Sequence, residues 1–255
     1  MSYLIFIILG LLPSAIWLLY FLRKDVHPEP KRQVIKIFLW GMLITLPAIF
    51  IEKGIFEVVK TLNLSYIFYI FLGIAGTEEI LKYLVIRDKI LNNPEFDEPL
   101  DAMLYMIIAA LGFAGLENIL ILFSSPFNFL EMLFISILRF VGAVFLHTLC
   151  SGSFGYFLSL SFFETKNRAK LFIAGLLIAI LAHGFFNFSI TKIEESLKIE
   201  DNLIFVADQR TFAFFTIFLI TILISLAIFV SSGFNKLKKM KSICLPDIAL
   251  TKSKK

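Results

Sequence analysis

Long apolar runs separated by short polar breaks dominate the pattern along this chain. Seven runs, near 3–22, 34–51, 64–86, 101–123, 140–163, 170–190 and 211–233, are long enough to cross a membrane, since a ~30 Å hydrocarbon core takes about 20 helical residues. In lipid each backbone N–H and C=O must find its partner within the segment, so the runs predict helices rather than strands. The expected fold class is all-α, a polytopic transmembrane helix bundle of about seven spans. Pro13 predicts a kink in the first helix. Pro28 and Pro30, in the turn DVHPEP (Asp25 to Pro30), close the first break, and Pro94 and Pro99 mark the polar loop from Arg87 to Asp101. The stretch from Phe127 to Arg139 is helical in pattern but carries Glu131 and Arg139. It reads either as an interfacial helix or as an outward extension of the fifth span.

Composition agrees with the pattern. The chain is 58% hydrophobic with 30 phenylalanines among 255 residues, and its mean hydropathy is +0.86; soluble domains sit near 45–50% apolar. Most of the 24 Lys and Arg fall in alternate connections, from Arg23 to Lys36, at Arg87 and Lys89, at Lys166 to Lys170 and in the tail. The positive-inside bias therefore predicts an N-out, C-in protein of the cell membrane, multi-pass, with a domain at 1–235 and a basic cytoplasmic tail at 236–255. The tail reads as a topology and headgroup anchor. A net charge of +4 reflects this bias and implies no nucleic-acid partner. Cys150 and Cys244 suggest no disulfide framework, and 3–22, without a basic flank or a small-residue cleavage site, reads as a retained helix.

Against this background the charged residues inside spans stand out. Burying an ionised side chain at membrane depth is costly, so such groups face a cavity or a partner. Glu78, Glu79 and Lys82 interrupt the third span, Glu117 with Asn118 ends a small-residue run in the fourth, His147 lies in the fifth, and His183 with Asn187 in the sixth. Glu78 and Lys82 are i, i+4, Glu79 and Lys82 i, i+3, and His183 and Asn187 i, i+4, so each set shares a helix face. Such groups suit hydration of a peptide carbonyl. A glutamate beside a cation serves as general base. Histidines bind a metal that acidifies water or assist the water directly, and an asparagine amide donates to the developing oxyanion. Spacing alone leaves open whether a metal is used and which of Glu78 and Glu79 is the base. HExxH is absent.

Each residue has a plainer reading. Glu78 with Lys82 could be a neutralised structural pair, Glu117 with Asn118 a helix bridge, and His147 or His183 a hydrogen-bonded core histidine. Cys150, close to His147, reads as a packing residue rather than a nucleophile, and His27 as an inert loop histidine. The second helix, with no intramembrane charge beyond Lys36, reads as structural. The joint occurrence on four spans tilts the balance to function, because helix stabilisation does not require all of these groups together.

In order along the chain, DVHPEP, EEILK (Glu78 to Lys82), GFAGLEN (Gly112 to Asn118), HTLCSG from His147, and HGFFN (His183 to Asn187) resemble the PrsW family of membrane-embedded proteases, related to the type II CAAX-prenyl endopeptidase and bacteriocin-processing group. The resemblance covers roughly residues 1–235. It implies an endopeptidase in which Glu78, Glu79 and His183 are essential and Glu117, His147 and Asn187 complete the site, with Lys82 and Asn118 in support. It further implies a membrane-anchored protein substrate resembling an anti-sigma factor. Such proteins are described as metalloproteases, which would make His147, His183 and Glu117 ligands of zinc; the related CAAX group has been argued to use a glutamate-activated water without metal. Glu78 and Glu79 fall nearer mid-depth than the other groups, which predicts a third helix broken or misregistered near Gly73–Gly76. The competing expectations are a CAAX-like or bacteriocin-processing peptidase, a non-enzymatic transporter using the buried carboxylates as a relay, and a catalytically silent scaffold.

Overall fold

The structure is a computed structural model that describes residues 3–25, 27–91, 93, 96–124, 128–163, 167–200 and 203–240; the tail from 241, with Cys244, lies outside them. It is a bundle of long helices: α1 (Tyr3–Leu22), α2 (Lys31–Thr61), α5 (Pro99–Ser124), α6 (Phe129–Val141) with α7 (Ala143–Phe163), α8 (Arg168–Glu195) and α9 (Gln209–Leu237). Counting α6 and α7 as one crossing, these make six candidate spans. The third expected span is present but irregular. A single turn, α3 (Tyr66–Phe68), passes into a π-helix, Tyr69–Gly76, and then into α4 (Thr77–Lys89). The break expected near Gly73–Gly76 is thus a widened helix, a geometry frequent at functional sites. Its effect is to set the orientation in which Glu78 and Glu79 leave the following turn.

α5 is the central helix. Ala102 to Leu111 are inaccessible, and α1, α2 and α7 pack around it. Two glycines make the closest crossing. A Cβ on Gly41 would stand 2.2 Å from the Ala109 carbonyl oxygen, and one on Gly112 2.0 Å from that of Phe38. Only backbone-to-backbone approach fits there, as small residues permit between membrane helices. One turn on, Thr45 Oγ1 donates to the carbonyls of Gly41 and Phe113. α9 is the opposite case, burying a stripe of Leu226, Val230, Gly233, Phe234 and Leu237 and exposing Phe214, Ile217, Ile220, Ile224 and Ile228. Such a broad exposed apolar face is what a helix at the lipid boundary presents.

Three boundaries differ from expectation. α2 continues to Thr61 rather than ending near 51, so Glu52 is helical and lies within the bundle's length. α6 extends the fifth span, as one of the two expectations has it, but with a break between the two helices. Asn128 and Glu131 close a capping box at its start, Ser136 Oγ donates to the Leu9 carbonyl at 2.9 Å, and the chain turns at Gly142 into α7. The connection between the sixth and seventh runs is shorter than their expected ends at 190 and 211 allow and holds regular structure: α8 runs to Glu195, and β1 (Leu197–Glu200) pairs antiparallel with β2 (Leu203–Val206), Leu197 opposite Val206. This hairpin is a small β addition to an all-α bundle.

At the end of the bundle rich in Lys and Arg, the DVHPEP turn is tied to the start of α5. Asp25 accepts the N–H groups of His27 and Glu29, Glu29 accepts the Tyr105 hydroxyl, and Asp101 accepts the N–H groups of Asp97 and Glu98. His27 is exposed, and its Nδ1 lies 2.6 Å from Glu98 Oε1.

Candidate active site

The crossing of α4, α5, α7 and α8 gathers the ionisable residues that the sequence singles out. Lys82 is at the centre and wholly buried. Its Nζ donates to Glu79 Oε1 at 2.8 Å and to Glu78 Oε2 at 3.2 Å, as the i, i+3 and i, i+4 spacings require. It also lies 2.9 Å from His147 Nδ1 and over the Phe113 ring, 4.6 Å from the centroid. A buried ammonium with two carboxylates, an imidazole lone pair and an aromatic face has replaced its hydration shell with protein groups, the condition under which a buried charge is tolerated.

The two histidines stand edge to face, ring centroids 4.9 Å apart. Each turns one nitrogen toward Glu78 and the other to a second carboxylate. His147 Nδ1 is 3.5 Å from Glu78 Oε2 and its Nε2 is 3.1 Å from Glu117 Oε2. His183 Nε2 is 3.9 Å from Glu78 Oε2 and its Nδ1 is 3.1 Å from Glu79 Oε1. Because the Lys82 ammonium can only donate, it takes the Nδ1 lone pair of His147 and leaves Nε2–H to donate to Glu117.

The two glutamates differ in how far they are committed. Glu79 uses both oxygens, Oε1 on Lys82 and His183 and Oε2 on the hydroxyl of Ser151 at 2.9 Å. Glu78 directs Oε2 at Lys82 and the histidines, while its Oε1 makes no hydrogen bond among the described residues. Glu117 is held from its other side by Arg139, whose Nη2 donates to it at 2.6 Å and whose Nε donates to Asn118 Oδ1. Asn118 in turn donates to the Gly10 carbonyl at 3.2 Å, so it fixes Arg139 and α1 rather than meeting the histidines. Asn187, one turn from His183 on α8, is half-buried, and its amide makes no hydrogen bond among the described residues.

Glu78, His147 and His183 each offer a ligand atom, all within 4.8 Å of one another. Two imidazoles and a carboxylate are a donor set zinc accepts, and imidazoles whose second nitrogen rests on a carboxylate are how metal-binding histidines are commonly oriented. The donor types therefore fit such an ion, which would have to displace the Lys82 ammonium from the His147 Nδ1 lone pair. Glu117, the carboxylate that the resemblance assigns as a ligand, here stands behind His147 and against Arg139, and Glu78 takes the place beside the two imidazoles. Three carboxylates face two cations in the cluster, a surplus of negative charge that a divalent ion or a proton would offset.

Three contributors were not found from the sequence. Arg139 was placed in an interfacial stretch, though Glu117 called for a cation that no residue of its own span supplies. Ser151, which donates to Glu79, carries no charge that would single it out in an apolar span. Glu52 was placed past the end of an assumed structural span; on α2, one turn beyond Ala48 on the face that carries Thr45, it lies within electrostatic reach of Glu78, Glu117 and Lys82 and forms an acidic rim. Cys150 is buried and makes no hydrogen bond to a base among the described residues.

Comparison with known proteins matches these observations. The sequence profile of the PrsW family of intramembrane metalloproteases covers residues 29–235. The chain is similar to Protease PrsW of Oceanobacillus iheyensis, 33% identical over 180 residues, which is 70% of this chain and 80% of the relative. Protease PrsW of Clostridioides difficile is 32% identical over 186 residues, 71% of this chain and 77% of the relative. Protease PrsW of Bacillus subtilis is 30% identical over 186 residues, 72% and 82%. No solved structure matches the chain.

Proposed function

The chain belongs to the PrsW family of intramembrane metalloproteases and is a multi-pass membrane protease, and on that premise we propose that it hydrolyses a peptide bond in a membrane-anchored, anti-sigma-factor-like protein, with Glu78 as the general base. The protease domain is residues 1–235, set N-out and C-in, with the basic tail from 236 on the inner side. One observation carries the choice of base. Glu79 has both oxygens occupied, whereas Glu78 Oε1 is open to a water.

In this reading the Lys82 ammonium stands against both carboxylates, and Glu78 takes a proton from the attacking water. Glu79 and Glu117 hold the imidazoles of His183 and His147 in the orientation that faces Glu78, and Arg139 in turn holds Glu117. The Asn187 amide, uncommitted and one turn from His183, donates to the oxyanion as the tetrahedral carbon forms. Glu78 then returns its proton to the leaving amine. His147, His183 and Oε2 of Glu78 would hold the zinc that the family description implies, leaving Oε1 to the water, and the ion would there acidify that water. A second reading, water activated by Glu78 without metal, is favoured by the position of Lys82, which already takes the His147 lone pair.

Purified protein in liposomes with a single-span protein substrate tests the assignment. Glu78→Gln is expected to lower the cleavage rate by at least about 10²-fold; wild-type rates in that variant would overturn it. Metal content and activity measured before and after chelation separate the readings: cleavage lost on removal and restored by zinc supports the ion, and cleavage that survives full removal supports Glu78 acting alone.

A further inference from the structure

A groove of about 470 Å³, separate from the ionic cluster, runs between α1, the α6–α7 junction and the last turns of α9. Its walls are apolar and largely aromatic, with Trp17, Phe145, Val230 and Phe234 among them, and its polar groups gather at one end, where Lys24, Asn235 and Lys238 stand. Neither lysine forms an ion pair among the described residues; Lys24 lies over the Tyr20 ring, 4.9 Å from its centroid. The indole N–H of Trp17 is taken by the Phe140 carbonyl at 2.9 Å, so the groove's depth presents no free indole donor.

We propose that this groove is a binding site for one anionic phospholipid, its headgroup phosphate on Lys24, Asn235 and Lys238 and an acyl chain along Trp17, Phe145 and Val230. Three features select this occupant. Along α1 the groove extends from Ile16 to Lys24, and along α9 from Ala227 to Lys238, rises of about 12 and 17 Å. Half of a ~30 Å hydrocarbon core is about 15 Å, so the groove spans one leaflet and its lysines arrive at the interface. The charge is positive only at that end, which is the basic end of the bundle, where anionic lipid is attracted. A free phosphate would leave the aromatic walls unused, and a zwitterionic lipid would bring a quaternary ammonium up to two lysines.

The site bears on the ionic cluster through the chain itself. Phe140 and Phe145 line the groove's deep end, Arg139 precedes the first, and His147 follows the second by two residues. A seated acyl chain therefore packs against the junction that presents both groups.

Native mass spectrometry of the full chain, released from equal mixtures of phosphatidylglycerol and phosphatidylcholine with matched acyl chains, tests binding without reference to proteolysis. Wild type is expected to retain phosphatidylglycerol over phosphatidylcholine by roughly tenfold. K24Q combined with K238Q should bring the two lipids to parity, and A227W, which fills the groove and keeps the lysines, should lose both. Equal retention by wild type, or a preference unchanged in the lysine double variant, would overturn the proposal. So would displacement of the lipid by millimolar inorganic phosphate, which marks a free-anion site, or a dimer that A227W dissociates, which marks an interface between copies. Both lysines are solvent-accessible, so the double variant remains informative even where A227W does not fold.

Discussion

Two polar clusters lie at opposite ends of α5, about 24 Å apart along the helix, and both use carboxylates to join helices. At the basic end Asp25, Glu29 and Asp101 are satisfied by backbone N–H groups and one phenol, and the exposed His27–Glu98 pair closes the outside. Around Glu117 the carboxylates are satisfied by an ammonium, a guanidinium and two imidazoles, nearly all withdrawn from solvent. The first arrangement shows what holding helices together requires: neutral donors, with no buried cation. The second goes beyond that requirement. Buried ion pairs are weak contributors to stability compared with apolar packing of similar volume, so their concentration here, with a carboxylate oxygen and an amide unengaged among the described residues, is what supports the proposal of chemistry at this cluster and not at the other.

The largest expected effect comes from removing the charge that centres the second cluster. Lys82→Met leaves Glu78 and Glu79 buried without their cation, and breaking such a pair costs about 3–5 kcal/mol. Cleavage should fall to background, and denaturant unfolding in detergent should show the loss. Tyr105→Phe removes the one phenol of the first cluster and should cost about 1–2 kcal/mol with cleavage retained. Equal losses of stability and activity in the two variants would erase the distinction between the clusters.

Arg139 gives an intermediate case. It is placed to act through Glu117 on His147, so Arg139→Gln is expected to lower cleavage by about 10–100-fold, the usual effect of disturbing an orienting partner. Arg139→Lys, which restores the charge but not the double contact to Glu117 and Asn118, should recover part of the rate. A purely structural role predicts instead that the two variants lose stability without a difference in rate per folded molecule.

The same contrast explains what could be read in advance. The spans were legible because lipid forces backbone hydrogen bonds into helices, and the charged residues within spans because burying them needs a reason. Glu78, Glu79, Lys82, Glu117, His147 and His183 were found that way, and the structure brings all six together. Residues near span ends carried no such signal. Arg139 and Glu52 looked solvated, since the inward path of α6 and the ten extra residues of α2 depend on packing that hydropathy does not encode. The pairing of Glu29 with Tyr105 links a turn to a helix far along the chain and leaves no local trace. The mismatch in depth did point to a break near Gly73–Gly76; that the break is a π-helix follows only from coordinates.

The smallest effect belongs to the first cluster and concerns pH. Burial of Glu29 in the turn, reinforced by the carboxylates of Asp101 and Asp25 and opposed by the Tyr105 hydroxyl, pushes its carboxyl up from the ordinary 4.5 to about 8. The folded protein therefore holds this proton at neutral pH while the unfolded chain has lost it. The stabilisation is fully present below pH 4.5 and is lost as pH rises toward and through 8. Glu29→Gln mimics the protonated form at every pH and should remove that dependence. Between pH 5.5 and 8.5 the wild-type Tm should fall by about 2–4 °C more than that of the variant, a shift of the size expected for a single, partly solvent-screened group in a chain of this length. Parallel Tm profiles would show that Glu29 ionises freely in the fold, and would remove the proton from the account of how the turn is fastened to α5.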